Sequence, residues 1–370
     1  MNDPANVQQP LLPKACAVEI FQGVTFLICT YNGEQRLSET LRHLAAQRVP
    51  AGLAWEVLLV SNASTDDTLG AAPRLWAELG APAPLRTLDE SKSGKENALT
   101  QGFDSARYDW VSIVDDDNWL APDYLAQVAQ VMAAHPTIGI LGTCAEGAFE
   151  VAPPEWFTRF EAVFAIGAQN GGHTGSLPRH DGYIYGAGSV VRRQAWLYLR
   201  SAGFAFTTAA KRGAVLSGAE DVELGDAMRL AGYQLWYDGA IRFKHFMYEG
   251  RLTWPYLLRM AHGTGSSQLT SAVYYFIFWH PNLSESKFRW LYFKRQLWLL
   301  LQLARHPLQL AIALRRPEQE NMETFATTRL WHNFLGSWSG LGQAVRVFRT
   351  VSTLENKLRA ASRPSKATHN

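Results

Sequence analysis

Three consecutive carboxylates, Asp115, Asp116 and Asp117, follow the apolar run Val111-Ser112-Ile113-Val114. Adjacent like charges at a strand end repel one another unless a cation sits among them. Hard carboxylate oxygens favour magnesium or manganese, ions that commonly bridge one or two carboxylates to a substrate's phosphates. Alternate residues of an extended chain project to the same side, so Asp115 and Asp117 would face together with Asp116 turned away. The plain alternative is a solvated turn whose last member, Asp117 or Asn118, starts the next helix. Two other polar groups, Thr30-Tyr31-Asn32 and Ser61-Asn62, also close apolar runs.

The elements that would position these groups follow from periodicity. "VTFLICT", "WEVLLVS", "LRTL", "WVSIVD" and "IGILGT" read as strands, separated by helical patterns such as Leu37, Leu41 and Leu44, or Leu75 and Leu79. Near-continuous apolar strands alternating with helices predict an α/β fold, a mostly parallel sheet covered on both faces and joined by right-handed crossovers. Ligands in such sheets bind beyond the carboxyl ends of the strands, and all three polar groups fall there. Later, the glycine-rich "GAQNGGHTGSLPRHDGYIYGAGS" reads as a long loop entering a strand, "IYGAGSVV". "SGAEDVELGDAMRLAG" reads as a helix. Ser217 and Glu220 have capping-box spacing, Leu224, Ala227, Met228 and Ala231 form one stripe, and Gly232 sits at the C-terminal cap. Two short strands, "YQLWYD" and "AIRFKHF", follow, and from Arg251 the chain reads as helical.

At 370 residues and 47% hydrophobic content the chain can bury a sizeable core. Its 35 basic and 33 acidic residues leave a net charge of +2, which gives no nucleic-acid footprint. Three scattered cysteines, Cys16, Cys29 and Cys144, suggest neither a disulfide framework nor a zinc knuckle and fit a reducing cytoplasm. Residues 1–21 read as a mobile leader without a signal-peptide core. "AVYYFIFW" and "LWLLLQLA" fall short of the roughly 20 residues needed to span a bilayer.

"FLICTYNGEQRLSETLRHLAAQ", "EVLLVSNASTDDT", "WVSIVDDDNWLAPDYL" and "SGAEDVELGDAMRLAGYQLWYDGAIRFKHF" together resemble family 2 glycosyltransferases of the GT-A fold, over roughly residues 22–265. The resemblance implies an enzyme that passes a sugar from a nucleotide-diphosphate donor to an acceptor hydroxyl with inversion, using Mg2+ or Mn2+. It would place Thr30, Tyr31, Asn32 and Glu34 around the base and ribose, with Asn62 and Ser64 beside them. Lys95 and Asp116 would lie near the donor, Asp115 would contact ribose or metal, and Asp117 and His245 would serve the metal. Asp221 would be the base that takes the acceptor's proton, with Glu220 next to it; the dipole of a helix's first turn would favour an ionised Asp221. Trp119 and the segment Gly186-Ala187-Gly188 would lie on the acceptor side. Each has a plainer reading: Ser64 with Asp67 and Ser217 with Glu220 as capping boxes, Lys95 as a solvated cation, Trp119 as core, His245 as structural. Ser61 stands where many relatives carry an aspartate that reads the base, so the donor nucleotide stays open.

The expected organisation is a GT-A domain over residues 22–250, a helical extension over 251–355 and a flexible tail over 356–370. Between Lys287 and Leu314 the extension is rich in tryptophan, leucine and arginine, with Arg295, Gln302, His306 and Gln309 on one narrow face and a kink at Pro307. Such a helix either packs on the domain or lies in a membrane interface, which would hold a cytoplasmic enzyme on the inner face of the membrane beside a lipid-linked or glycan acceptor. A processive synthase is disfavoured, because "SKFRW" puts Ser286 where a Q/R-x-x-R-W motif needs Gln or Arg. Two other classes compete. A sugar-phosphate nucleotidyltransferase would carry a G-G-x-G-T phosphate loop near its start, which this chain lacks; a silent membrane-associated scaffold would not need the intact acidic turn and Asp221.

Overall fold

The computed structural model describes residues 21–178, 181–207 and 219–361. Four parallel strands form one half of a nine-stranded sheet: β1 (Phe21–Thr30), β2 (Ala54–Asn62), β3 (Leu85–Glu90) and β4 (Tyr108–Val114), in the order β3-β2-β1-β4. The other half is mixed. It contains β5 (Asn118–Leu120), β6 (Ile138–Phe149), β7 (Gly175–Ser176), β8 (Val190–Arg192) and β9 (Gln234–Met247). β8 runs antiparallel between β4 and β6, β9 is parallel to β6, and the short β5 and β7 pair antiparallel with β9.

Helices α1 (Leu37–Ala45), α2 (Thr68–Glu78) and α4 (Tyr124–Ala134) cover one face; α3 (Lys95–Ser105), α5 (Arg193–Ser201) and α6 (Glu220–Leu230) cover the other. The strand period of two sorts the side chains between them. Val24, Phe26 and Ile28 of β1 meet Leu37, Leu41 and Leu44 of α1. Leu27 of the same strand joins Leu99 and Phe103 of α3 and Trp196 of α5 on the opposite side.

Several local expectations change. The two strands predicted at 233–246 are one strand, because Asp238-Gly239 is a bulge rather than a turn. The pairing of β9 with β6 jumps from Tyr237 to Arg242, and the Asp238 carboxylate accepts the Ala240 amide at 2.9 Å. Only Val190 and Val191 of "IYGAGSVV" are strand, the start of β8, since Gly188 at φ +64° turns the chain first. α6 begins at Glu220 itself, with Ala219 as its N-cap; the expected capping box rests on Ser217, which lies outside the described residues. Residues 1–20 of the expected leader also lie outside them.

The C-terminal part is helical: α7 (Trp254–Trp279), α8 (Glu285–Arg305), α9 (Pro307–Arg315), α10 (Met322–Trp338) and α11 (Leu341–Ala361). Its side chains enter the sheet domain's own core, where Val273, Phe288 and Phe348 belong to the same cluster as Leu27 and Trp196. Residues 356–361 of the expected tail are helical, because α11 continues through Ala361; residues 362–370 lie outside the described residues. Pro307 does bend the chain, with 83° between α8 and α9. No single helix among the described residues is long and apolar enough to cross a membrane.

Candidate active site

The turns after β1 and β2 are laced together. Asn32 adopts a left-handed conformation, its amide donating to the Ser64 hydroxyl at 3.0 Å while its side-chain oxygen accepts the Thr65 amide at 2.8 Å. The Gly33 amide donates to the Thr68 hydroxyl and the Glu34 carboxylate accepts the Asp67 amide, tying this corner to the start of α2. Ser64 therefore fastens one turn to the other instead of forming a capping box with Asp67, and α2 has no side-chain cap. Asn62 spans the next gap, donating to the Lys92 carbonyl at 2.7 Å and accepting the Gly94 amide at 2.9 Å. Tyr31 projects from the braced lip with 59% of its surface exposed, while Ser61 is enclosed at 1%. The corner thus offers an exposed aromatic face, with an enclosed serine at position 61.

The acidic turn carries its own counter-cations. Asp115 pairs with the Lys95 ammonium at 2.6 Å. Asp116 accepts from the Thr30 hydroxyl and from Arg36 at 2.7 Å, while its carbonyl accepts the Thr40 hydroxyl. Far from turning away, Asp116 locks the β1 corner to the acidic turn. Asp117, nearly enclosed, receives Arg251 at 2.6 Å, Asn118 at 3.0 Å and His245 at 3.4 Å. Burial alone would raise its pKa, but His245 and Arg251 outweigh that and hold it well below the usual carboxylate range. Asn118 closes the turn by accepting the Asp115 amide.

Among the described residues no three His, Cys, Asp or Glu side chains stand close enough to hold a metal unaided. The donor set still suits a hard ion in kind: Asp117 is ionised, and the buried Nδ1 of His245 has no hydrogen-bond partner. One carboxylate and one imidazole leave room for the phosphate oxygens from which such ions usually complete their shell.

Beside this turn, α6 delivers two more carboxylates. The Asp221 carboxylate accepts the Gly186 amide at 3.0 Å and the Val222 amide at 2.7 Å. Burial nevertheless raises its pKa, so the pull of the helix dipole towards the ionised form, expected from sequence, does not prevail. Burial also lifts Glu220 to about 7, opposed by Lys95 and assisted by Asp221. Burial works against the charge of Lys95 in turn, but Asp115 and Glu220 hold its proton more firmly than usual. Lys95, its side chain 36% exposed, is thus paired with Asp115 and lies within the field of Glu220.

A braced aromatic lip, an acidic turn with its counter-cations and two half-buried carboxylates of α6 are the features of this site, and residues 25–197 match the sequence profile of glycosyl transferase family 2. These residues are a family 2 glycosyl transferase domain. Two solved structures agree in fold: the mannosyltransferase PcManGT from Pyrobaculum calidifontis in complex with GDP-Man and Mn2+ (TM-score 0.50, 21% identity, 93% of this chain and 88% of that one), and S. aureus TarS 1-349 in complex with UDP-GlcNAc (TM-score 0.50, 14% identity, 92% and 90%). The fold is GT-A. Among curated proteins, the poly-beta-1,6-N-acetyl-D-glucosamine synthase of Staphylococcus aureus (strain COL) is 28% identical over 114 residues, 30% of this chain and 26% of its own length. The chain therefore aligns with about a quarter of that relative.

Within the glycosyl transferase domain the residues expected on the acceptor side separate. Gly186 touches the site, holding Asp221 through its amide. Gly188 instead packs inside, where a Cβ would stand 2.3 Å from the Phe243 ring, and its carbonyl accepts from Tyr124 and Thr143. Ala187 is buried. Trp119 is stacked between His43 and Phe246, at 5.8 and 4.7 Å between ring centres, so neither face is free for a sugar. Aromatic surface comes instead from Tyr183 and Tyr185, which with Gln169 line a cleft of about 330 Å³ next to the Gly186 turn. The alternation in "GYIYGAG" places both tyrosines on one side and could have pointed to them. Arg251 and Arg36 carry no such signal, because each reaches the acidic turn only through the fold.

Proposed function

We propose that this protein is an inverting glycosyltransferase that moves one sugar from a nucleotide-diphosphate sugar to an acceptor hydroxyl. The observation that carries this is Asp221, a half-buried carboxylate oriented by two backbone amides and lying in the field of Lys95, which pairs with Asp115 of the acidic turn. The base would lie on Tyr31, with the diphosphate towards Lys95 and Arg251. The acceptor oxygen attacks the anomeric carbon as the bond to the diphosphate oxygen breaks, and its proton passes to Asp221; nucleoside diphosphate leaves. A raised pKa suits this base, since a carboxylate closer to neutrality takes a hydroxyl proton more readily. Asp117 and His245 would hold Mg2+ or Mn2+, which supplies charge neutralisation at the departing phosphate.

The matched relatives support a role in polysaccharide or glycan assembly, and Ser286 in "SKFRW" favours single addition over a processive reaction. Screening nucleotide sugars for slow, manganese-dependent release of nucleoside diphosphate tests this reading. Pyrophosphate formation from a sugar phosphate and a nucleoside triphosphate would establish a nucleotidyltransferase in its place. Asp221→Asn should bind donor within about threefold of wild type and lose roughly 100- to 10,000-fold in transfer. Turnover near wild type in that variant would remove Asp221 from the chemistry.

A further inference from the structure

α8 is two-faced in an unusual sense. Phe288, Tyr292, Leu299 and Leu303 are buried against the rest of the protein, as an amphipathic helix requires. The opposite face, which should then be polar, presents Trp290, Phe293, Leu297 and Leu301, which are 56%, 59%, 47% and 50% exposed. Trp298 and, beyond the bend, Leu308 extend the apolar surface. Contiguous exposed apolar surface of this kind is costly in water and marks an interaction face.

The surrounding charge says what covers it. Between Ser286 and Pro317 the sequence has no Asp or Glu but seven Lys or Arg: Lys287, Arg289, Lys294, Arg295, Arg305, Arg315 and Arg316. Arg295 turns inward to Ser337 and Asn333 of α10, so the polar stripe expected from sequence is partly internal. Lys287, Lys294 and Arg305 are exposed at the apolar face, Lys294 lying 4.2 Å from the Trp290 ring centre. The acid at the start of α8, Glu285, is held on the other side by Arg289 and by Arg349 of α11. Tryptophan and leucine rimmed by cations match the boundary between acyl chains and anionic headgroups. A second copy of this chain fits poorly, since a two-fold contact would press the basic rim against itself. α8 and α9 together are apolar enough for a bent span, but the burial of Phe288, Tyr292, Leu299 and Leu303 against the rest of the protein leaves only the outer face for a bilayer to cover, so the face is one that lies on a membrane.

We infer that the outer face of α8, continued onto α9, is a docking surface for membranes bearing anionic lipid. Tryptophan and leucine enter the headgroup boundary while Lys287, Lys294 and Arg305 meet lipid phosphates. This inference does not depend on glycosyl transfer, and its test contains no donor sugar. The full chain is floated with phosphatidylcholine vesicles with and without phosphatidylglycerol. Wild type should rise with the anionic vesicles and rise less at high salt. Phe293→Glu with Leu301→Glu should abolish flotation, and Lys287→Glu with Lys294→Glu should weaken binding to anionic vesicles on the order of tenfold. Both variants should keep the wild-type thermal midpoint and gel-filtration volume. Wild type left at the bottom with anionic vesicles would overturn the inference. So would unchanged flotation of Phe293→Glu with Leu301→Glu, or a wild-type dimer that this substitution disperses, which would mean that a second copy covers the face.

Discussion

Asp117 is enclosed and Glu220 half-buried, and their surroundings push the two carboxyl groups in opposite directions. Arg251 and His245 keep Asp117 ionised, so Arg251→Met should leave an under-compensated charge and cost about 3 kcal/mol, read as a lower denaturation midpoint. If a divalent ion uses the same carboxylate, added Mn2+ should raise the thermal midpoint more in that variant than in wild type. Glu220 has a folded pKa of about 7 against an ordinary 4.5, so the folded chain keeps a proton that the unfolded chain has lost. Its contribution to stability is full below the ordinary value and disappears as pH rises through about 7. Glu220→Gln should therefore be more stable than wild type at about pH 8 and indistinguishable at about pH 4, by thermal melts. In wild type, the acid limb of kcat/KM should lie above the ordinary aspartate value of 3.8, because Asp221 must lose its proton to act.

The turn between the long loop and β8 sets two glycines two residues apart with different duties. Gly188 has φ +64° and no space before the Phe243 ring, so Gly188→Ala should cost about 2–4 kcal/mol in denaturant unfolding. At Gly186 an added methyl would meet the Asp221 side chain at 3.3 Å. Gly186→Ala should leave stability within about 1 kcal/mol of wild type and lower turnover by roughly tenfold or more, since small displacements of a reacting group are expensive. A shared loss of stability in both variants would mean that Gly186 is a packing residue as well. The β9 bulge belongs to the same scale: it carries the strand on to His245, directly opposite Asn118 of the acidic turn.

Across the whole molecule, the C-terminal helices and the sheet share one core. Phe348 of α11 stacks on Phe288 of α8 at 4.4 Å, in the cluster that reaches Leu27 of the first strand. Phe348→Ala should cost about 3–5 kcal/mol and shift a single calorimetric transition downward. Two separate transitions, with donor binding surviving the first, would mean that the helices are an appendage.

The sequence by itself determined the alternating strands and helices and the strand ends that carry Thr30, Asn62 and Asp115 to Asp117, because periodicity and strand-terminal polar residues are local properties. It also marked Glu220 and Asp221 as first-turn carboxylates. Only the tertiary structure decided their partners: Lys95 between Asp115 and Glu220, Arg251 on Asp117, Gly186 on Asp221, and Trp119 closed off by His43 and Phe246. Each of these joins residues distant along the chain. The same holds for α8, which carries large apolar side chains on two opposite sides; packing chose which side the core would take and which would face outward. Burial and pairing are properties of space, so local spacing could name the charged groups but not say which cation each would meet.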